Sequence, residues 1–278
     1  MSMFPRRTRG ASPILTALLP RCLGLLLACA LCPTLHAQAP SVAILVYHRF
    51  ADHVNDSMTV RTSTFEAQLA WLRAHGYRCI PLRDVLAWLR DPAAALPPRS
   101  VALTADDGHR SVYDVLAPIA RRDRLPVTLF IYPSAIDNAS YAMTWQQLRE
   151  LRATGLFDVQ SHTYWHPNFH VERRHRGDAD YQAFVDTQLI RSKEKLQQEL
   201  GSAVDQLAWP FGIDDAQLRD RAVLAGYVAG FTLEARSVRR GDTVMALPRF
   251  LITDAVTPAV LGRLLGERDA PRASTDSP

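Results

Sequence analysis

Short apolar runs recur along this chain, separated by amphipathic stretches of about helical length. Ser41 to Tyr47 (SVAILVY) has the length and composition of a buried strand and is followed by His48. Phe65, Leu69 and Leu72 then fall on one face of a helix that Thr62 or Ser63 can cap and that ends near Gly76. Tyr77–Ile80 reads as a short strand and Leu82–Arg90 as a second helix. Asp91–Arg99, with three prolines, reads as a loop. Val101-Ala102-Leu103 is the next buried strand and runs into Thr104-Ala105-Asp106-Asp107-Gly108. Pro118 predicts a following helix that starts close to Asp114, with the proline in its first turn.

The pattern continues with a strand over Val127–Ile131 and a helix from Thr144 to about Ala153, opened by a Thr144/Gln147 capping box. Phe157–Gln160 is a strand leading into Ser161-His162, and the polar stretch 167–180 reads as an irregular surface insertion. Tyr181–Leu200 is a long helix stopped by Gly201. Strands at Gln206–Trp209, Val228–Leu233 and Ala246–Ile252 flank a helix over Asp215–Ala225, and a short helix follows around Ala259–Leu265. Such alternation favours a parallel sheet, and the repeated β–α unit predicts an incomplete (β/α) barrel with its chemistry at the C-terminal strand ends.

Composition changes this picture mainly at the ends. The chain has 278 residues, 47% hydrophobic and 22% charged, enough for a sizeable core. Its net charge of +4 comes from Arg6, Arg7, Arg9 and Arg21; without them 28 basic side chains face 28 acids. The body is therefore neutral and gives no sign of nucleic-acid binding. Residues 1–37 read as a secretory signal: a basic start, the apolar core Cys22–Cys32, and Leu35-His36-Ala37 as a cleavage site. Leu26-Leu27-Ala28-Cys29 loosely resembles a lipoprotein cleavage box, an alternative that would anchor the chain through Cys29. Export places the protein in a periplasm or at a cell surface. The domain is expected over 38–266, with 267–278 a disordered tail. Outside the leader Cys79 stands alone, so neither an internal disulfide nor a cysteine zinc site is expected.

Three polar groups follow predicted strands: His48, Asp106-Asp107, and His162-Thr163-Tyr164-Trp165-His166. Two imidazoles with three residues between them would share one face of a helical turn, ended by Pro167. Two neutral imidazoles and a carboxylate suit one divalent metal with positions left for water and substrate; Zn²⁺ is the first choice, with Fe, Co or Ni also suited.

At these residues the sequence resembles the polysaccharide deacetylase (NodB-homology) family, carbohydrate esterase family four. Thr104–Gly108 matches the Thr-Phe-Asp-Asp-Gly motif except at Ala105. Ser161–Pro167 matches the His-Ser/Thr-x-x-His motif. Ala208-Trp209-Pro210-Phe211-Gly212 matches Arg-x-Pro-Phe/Tyr-Gly without its arginine. Val46-Tyr47-His48, the helix from Phe65 to Leu72 and Trp-Pro-Phe-Gly are similar to the poly-β-1,6-N-acetylglucosamine N-deacetylase branch. The resemblance covers about residues 42–255. It implies a distorted (β/α) barrel and a metal-dependent N-deacetylase of exported N-acetylglucosamine polysaccharide. Asp106 would be the catalytic base, Asp107, His162 and His166 the metal ligands, and the backbone near Phe211 the oxyanion donor. Trp209, Pro210 and Phe211 would bind substrate. The family's Leu-x-x-His acid is missing, which leaves His48 as the candidate acid and Arg249 either replacing the lost arginine or binding substrate. Peptidoglycan or chitin oligomers are the alternative substrates, and a catalytically dead binding protein is the alternative class. A monomer is expected, with exopolysaccharide secretion machinery as the candidate partner.

Overall fold

A computed structural model describes residues 40–267. Strand β1 (Ser41–Tyr47) leads into a small parallel pair, β2 (Arg49–Ala51) and β3 (Thr59–Arg61). Helix α1 (Thr62–Ala74), β4 (Arg78–Cys79), α2 (Leu82–Arg90) and β5 (Ser100–Asp106) follow. A π-helical turn over Val112–Leu116 opens α3 (Ala117–Asp123), and then come β6 (Val127–Ile131), α4 (Trp145–Ala153) and β7 (Phe157–Ser161). The second half adds α5 (Phe169–Arg174), α6 (Asp178–Leu200), β8 (Gln206–Ala208), α7 (Ala216–Leu224) and β9 (Ala229–Phe231). It closes with β10 (Val238–Arg239), β11 (Phe250–Leu251) and α8 (Pro258–Leu264).

Strands β1, β5, β6, β7, β8 and β9 lie side by side in that order, all parallel, with β10 antiparallel on the outer edge of β1. The sheet curls until β9 approaches β1 again. The gap is spanned by the stretch from Leu247 to Leu251. Leu247 bridges Phe231, while Phe250 and Leu251 pair with Leu45 and Val46. The barrel is therefore distorted, with a sparse seam between its last and first strands.

Side-chain alternation along each strand divides the core in two. Ala43, Leu45 and Tyr47 of β1, with Val101, Leu103 and Ala105 of β5 and Val127, Leu129 and Ile131 of β6, face the surrounding helices. Val42, Ile44, Ala102, Phe130, Ala208, Phe231 and Leu247 point into the barrel, and α2 adds Leu82, Val85, Leu86 and Trp88 to that inner cluster. On β5 the inward set is the one that contains Ala102, Thr104 and Asp106. The same alternation that builds the core thus delivers one carboxylate to the barrel's mouth.

Several elements differ from the sequence expectation for identifiable reasons. Helix α1 begins at Thr62, so neither Thr62 nor Ser63 caps it. Instead the Arg61 N–H donates to Asp254 (3.0 Å). The helix after the aspartate pair starts at Val112, where the Ala117 N–H reaches back five residues to the Val112 carbonyl. That wider turn removes a bond that Pro118, with no N–H, cannot make. The stretch 167–180 is not irregular throughout. The Asn168 side chain accepts the Val171 N–H and caps α5, which buries Phe169, and α6 starts three residues ahead of Tyr181. Of Ala246–Ile252 only Phe250–Leu251 is strand. Glu267, expected to open the tail, accepts a hydrogen bond from Tyr77 Oη (2.9 Å). The leader, its Cys29 alternative and residues 268–278 lie outside the described residues.

Candidate active site

The site is assembled at the C-terminal ends of β5, β6, β7 and β8. After β5, Asp106 remains extended while Asp107 takes a left-handed conformation (φ 74°) and Gly108 follows it (φ 79°). The turn therefore aims two successive carboxylates differently. A side chain on Gly108 would press within 3.0 Å of Ile131 Cδ1, so both the backbone angle and the space require glycine there.

Asp106 is buried (1% exposed) and meets Arg249, itself fully buried, in a two-pronged ion pair. Nη1 donates to Oδ1 (2.9 Å) and Nη2 to Oδ2 (2.8 Å). Arg249 is fixed from behind by Nε donating to the Thr232 carbonyl (3.2 Å) and by Nη1 donating to Thr104 Oγ1 (3.3 Å). Burial alone would raise the Asp106 pKa. The charge of Arg249, with the hydrogen bonds from its guanidinium, outweighs burial and holds the carboxyl below its usual range.

Asp107 has no such partner. Its Oδ1 is buried, makes no hydrogen bond, and lies 3.6 Å from His162 Nε2 and 3.8 Å from His166 Nε2. Burial raises its pKa, a tendency that Asp106 reinforces and the charge of His48 opposes. Atoms bound about 2.0–2.1 Å from a tetrahedral zinc ion stand roughly 3.3 Å apart. Asp107, His162 and His166, with one ligand atom each inside a 4.8 Å span, therefore have the spacing and donor chemistry to hold a divalent cation. The His162 pKa is lowered to about 3, chiefly by burial and then by the neighbouring His166, so its imidazole is neutral and free to ligate.

The two histidines meet by another route than expected. Residues 162–167 form an irregular loop rather than a helical turn, with Thr163 and His166 both left-handed (φ 62° each). The loop is held from several sides. The His162 N–H continues the ladder to the Ile131 carbonyl (2.8 Å), the Ser134 N–H donates to the Tyr164 carbonyl (3.1 Å), and Gln188 of α6 accepts the Trp165 N–H (3.1 Å). Ser161 Oγ, which pairs with Ser192 Oγ of α6 (2.8 Å), accepts the Thr163 N–H (3.2 Å). His162 Nδ1 donates to the Ala208 carbonyl (2.8 Å), which turns Nε2 toward Asp107. The position where the family motif has arginine thus contributes its backbone.

The remaining candidates separate. His48 is buried (9% exposed) and its Nδ1 makes no hydrogen bond; it directly follows β1, which runs beside β5. Trp209 cannot touch a sugar: it is fully buried, with Nε1 donating to the Met245 carbonyl (2.9 Å). Pro210 is buried as well, and Arg249, sealed against Asp106, does not face substrate. Phe211 alone of the proposed binding residues is open, 56% exposed, with its ring centre 4.6 Å from that of His166. Tyr132, the first residue after β6, was not singled out from the sequence. Its ring centre lies 5.4 Å from His166 and its hydroxyl 2.7 Å from that of Tyr141. A tyrosine directly behind an expected barrel strand was the available signal.

These features place a cluster suited to a divalent cation, beside an arginine-paired carboxylate, at the C-terminal mouth of a curled parallel barrel. A family model described as polysaccharide deacetylase matches residues 93–230, and the chain belongs to that family. It is 25% identical over 200 residues to a poly-beta-1,6-N-acetyl-D-glucosamine N-deacetylase of Staphylococcus aureus, spanning 70% of this chain and 68% of that protein. The fold is shared with the Streptococcus pyogenes deacetylase PplD solved in complex with acetate. That match has a TM-score of 0.71 and 23% identity over 81% of this chain and 98% of the other. It is shared equally with IcaB from Ammonifex degensii, with a TM-score of 0.70 and 24% identity over 82% and 97%.

Proposed function

We propose that the protein removes N-acetyl groups from poly-β-1,6-N-acetylglucosamine exported from the cell, using one divalent cation held by Asp107, His162 and His166, with zinc the first choice. The observation that carries this reading is the unpartnered, buried Asp107 Oδ1 facing two imidazole nitrogens beside a carboxylate that Arg249 keeps ionised. A cation bound there supplies Lewis acidity toward an amide carbonyl and toward water.

Asp106 is the base. Its carboxylate is ionised and fixed in direction by two bonds, so it accepts a proton from the attacking water without first reorienting. Water oxygen adds to the carbonyl carbon, the C–N bond breaks, and acetate and a free amine leave. The amine needs a proton, and His48, buried with an unbonded ring nitrogen just past β1, whose neighbour β5 ends in the aspartates, is the group assigned to give it. Phe211 presents an open aromatic face beside His166 for the acetyl methyl or the sugar ring, and its left-handed backbone (φ 57°) orients the peptide assigned to the oxyanion. The polymer as substrate is supported by the S. aureus relative's name, and export by the leader-like residues 1–37. No helix among the described residues is long and apolar enough to cross a membrane.

The test is release of free amines and acetate from poly-β-1,6-N-acetylglucosamine, chitin oligomers and peptidoglycan, each with and without chelator. The β-1,6 polymer should be the best substrate, and chelator should abolish turnover. Activity that survives chelation sinks the metal assignment, and a preference for peptidoglycan or chitin sinks the substrate. Asp106→Asn should lower kcat at least a hundredfold.

A further inference from the structure

We propose that Tyr132 and Tyr141, backed by His109, form a sugar subsite on the β6 side of the pocket, which grips one N-acetylglucosamine unit through its ring hydroxyls. The inference rests on the deacetylase reading and adds the residues that position the polymer. Strand β6 lies between β5, which ends in the aspartates, and β7, which ends before His162. The first residue past β6 therefore projects from the same barrel end as the candidate ligands, and that residue is Tyr132.

The two phenol oxygens are 2.7 Å apart and share one hydrogen bond. Two hydroxyls own two hydrogens, so one hydrogen and several lone pairs stay unspent, and neither oxygen bonds any other described group. A donor and acceptors side by side match the vicinal hydroxyls of a pyranose, each of which also gives and accepts. The pair is positioned by the fold. The Tyr141 carbonyl accepts the Arg110 N–H (2.8 Å), and the Met143 N–H donates to the Gly108 carbonyl (2.9 Å). These bonds stitch the Tyr141 loop to the turn that follows Asp107. The Tyr141 ring lies nearly parallel to that of His109 (9° between planes, centres 6.2 Å apart), which limits its swing. Even so, Tyr141 is 41% exposed, so the unspent capacity is open to a ligand. His166 neighbours both Tyr132 and the exposed Phe211, which joins a hydroxyl-bearing wall to an apolar one around the reacting position.

Tyr132→Phe and Tyr141→Phe each delete a hydroxyl while keeping the ring. The measurement is calorimetric affinity of the full chain for a β-1,6-linked N-acetylglucosamine pentamer, in an Asp106→Asn background that suppresses turnover. Each substitution should weaken binding about three- to tenfold, the range of one lost hydrogen bond. The double variant should be little worse than either single one, because the hydroxyls act as a unit. Unfolding midpoints equal to the parent's show that the fold is intact. Affinity within twofold of the parent in both variants overturns the subsite, as does a parent that does not bind the pentamer. If the unsubstituted protein releases acetate while the tyrosine variants bind as the parent does, the subsite fails and the deacetylase reading stands. If binding depends on the tyrosines but no acetate is ever released, the deacetylase reading fails and the subsite stands.

Discussion

Arg249 and Asp106 are 143 positions apart in sequence and share two hydrogen bonds inside the barrel. A carboxylate 1% exposed needs such a partner, because losing water costs far more than a single weak contact returns. Arg249→Ala leaves that charge buried and unpaired, and urea unfolding should show a loss of about 3–5 kcal/mol. Arg249→Lys keeps the charge but not the fork, so it should fold better than the alanine variant and still lose activity. With the arginine gone, the burial effect is no longer opposed, and the Asp106 pKa rises. The acid limb of the kcat/KM profile should therefore move to higher pH in Arg249→Lys, whose single ammonium compensates less. The sequence shows that Ala208 cannot do an arginine's work, and it offers Arg249 as one replacement. It cannot show which of the two roles Arg249 takes, because that depends on β11 returning beside β1.

At the scale of elements, what was legible is what is decided locally. Helix α4 announces itself through Thr144 and Gln147, and both reciprocal bonds are present: Thr144 Oγ1 accepts the Gln147 N–H (3.1 Å) and Gln147 Oε1 accepts the Thr144 N–H (2.9 Å). Thr144→Ala should cost about 1 kcal/mol by denaturant unfolding without changing acetate release, since α4 carries no candidate site residue. Strands β1 and β6 and helix α2 keep their expected bounds for the same reason: apolar runs with clear breakers on each side. The His162–His166 loop was not legible. Its left-handed turns at Thr163 and His166 are set by Gln188, which accepts the Trp165 N–H, and by Ser192, which pairs with Ser161, both more than twenty positions later on α6, and no local pattern encodes those bonds. The burial of Trp209 has a similar origin. Gly230 leaves the room for it, since a Cβ there would sit 2.3 Å from the Met245 carbonyl oxygen and 2.7 Å from Trp209 Nε1. Gly230→Ala must push that ring from its seat, and the predicted outcome is about 1–3 kcal/mol of lost stability, with activity reduced through displacement of the adjoining Phe211 turn. Thermal unfolding and turnover on one preparation check both halves.

For the whole molecule, acid sensitivity should report on the site, because the barrel places neutral imidazoles where water is excluded. The His162 pKa of about 3 in the folded protein compares with about 6.5 for an unfolded imidazole. Between those values the unfolded chain binds a proton that the folded chain refuses. Stability is therefore full above about pH 6.5 and falls as the pH drops toward about 3. At pH 5 the loss from this one group is about 2 kcal/mol in the metal-free protein. Asp106 works in the same direction lower down, since its depressed pKa contributes stability that is lost as pH falls below the ordinary carboxylate range. Urea titrations of chelated protein at pH 7 and pH 5 should show the drop, and His162→Gln should flatten it by removing the titrating ring. A divalent cation that binds the folded state alone adds stability in proportion to the logarithm of its concentration over Kd. Zinc should therefore raise the unfolding midpoint at both pH 7 and pH 5, since burial lowers the pKa of both imidazoles in the folded chain, and do nothing in His162→Gln. A midpoint indifferent to zinc at both pH values would remove Asp107, His162 and His166 as a metal site, whatever the activity assays return.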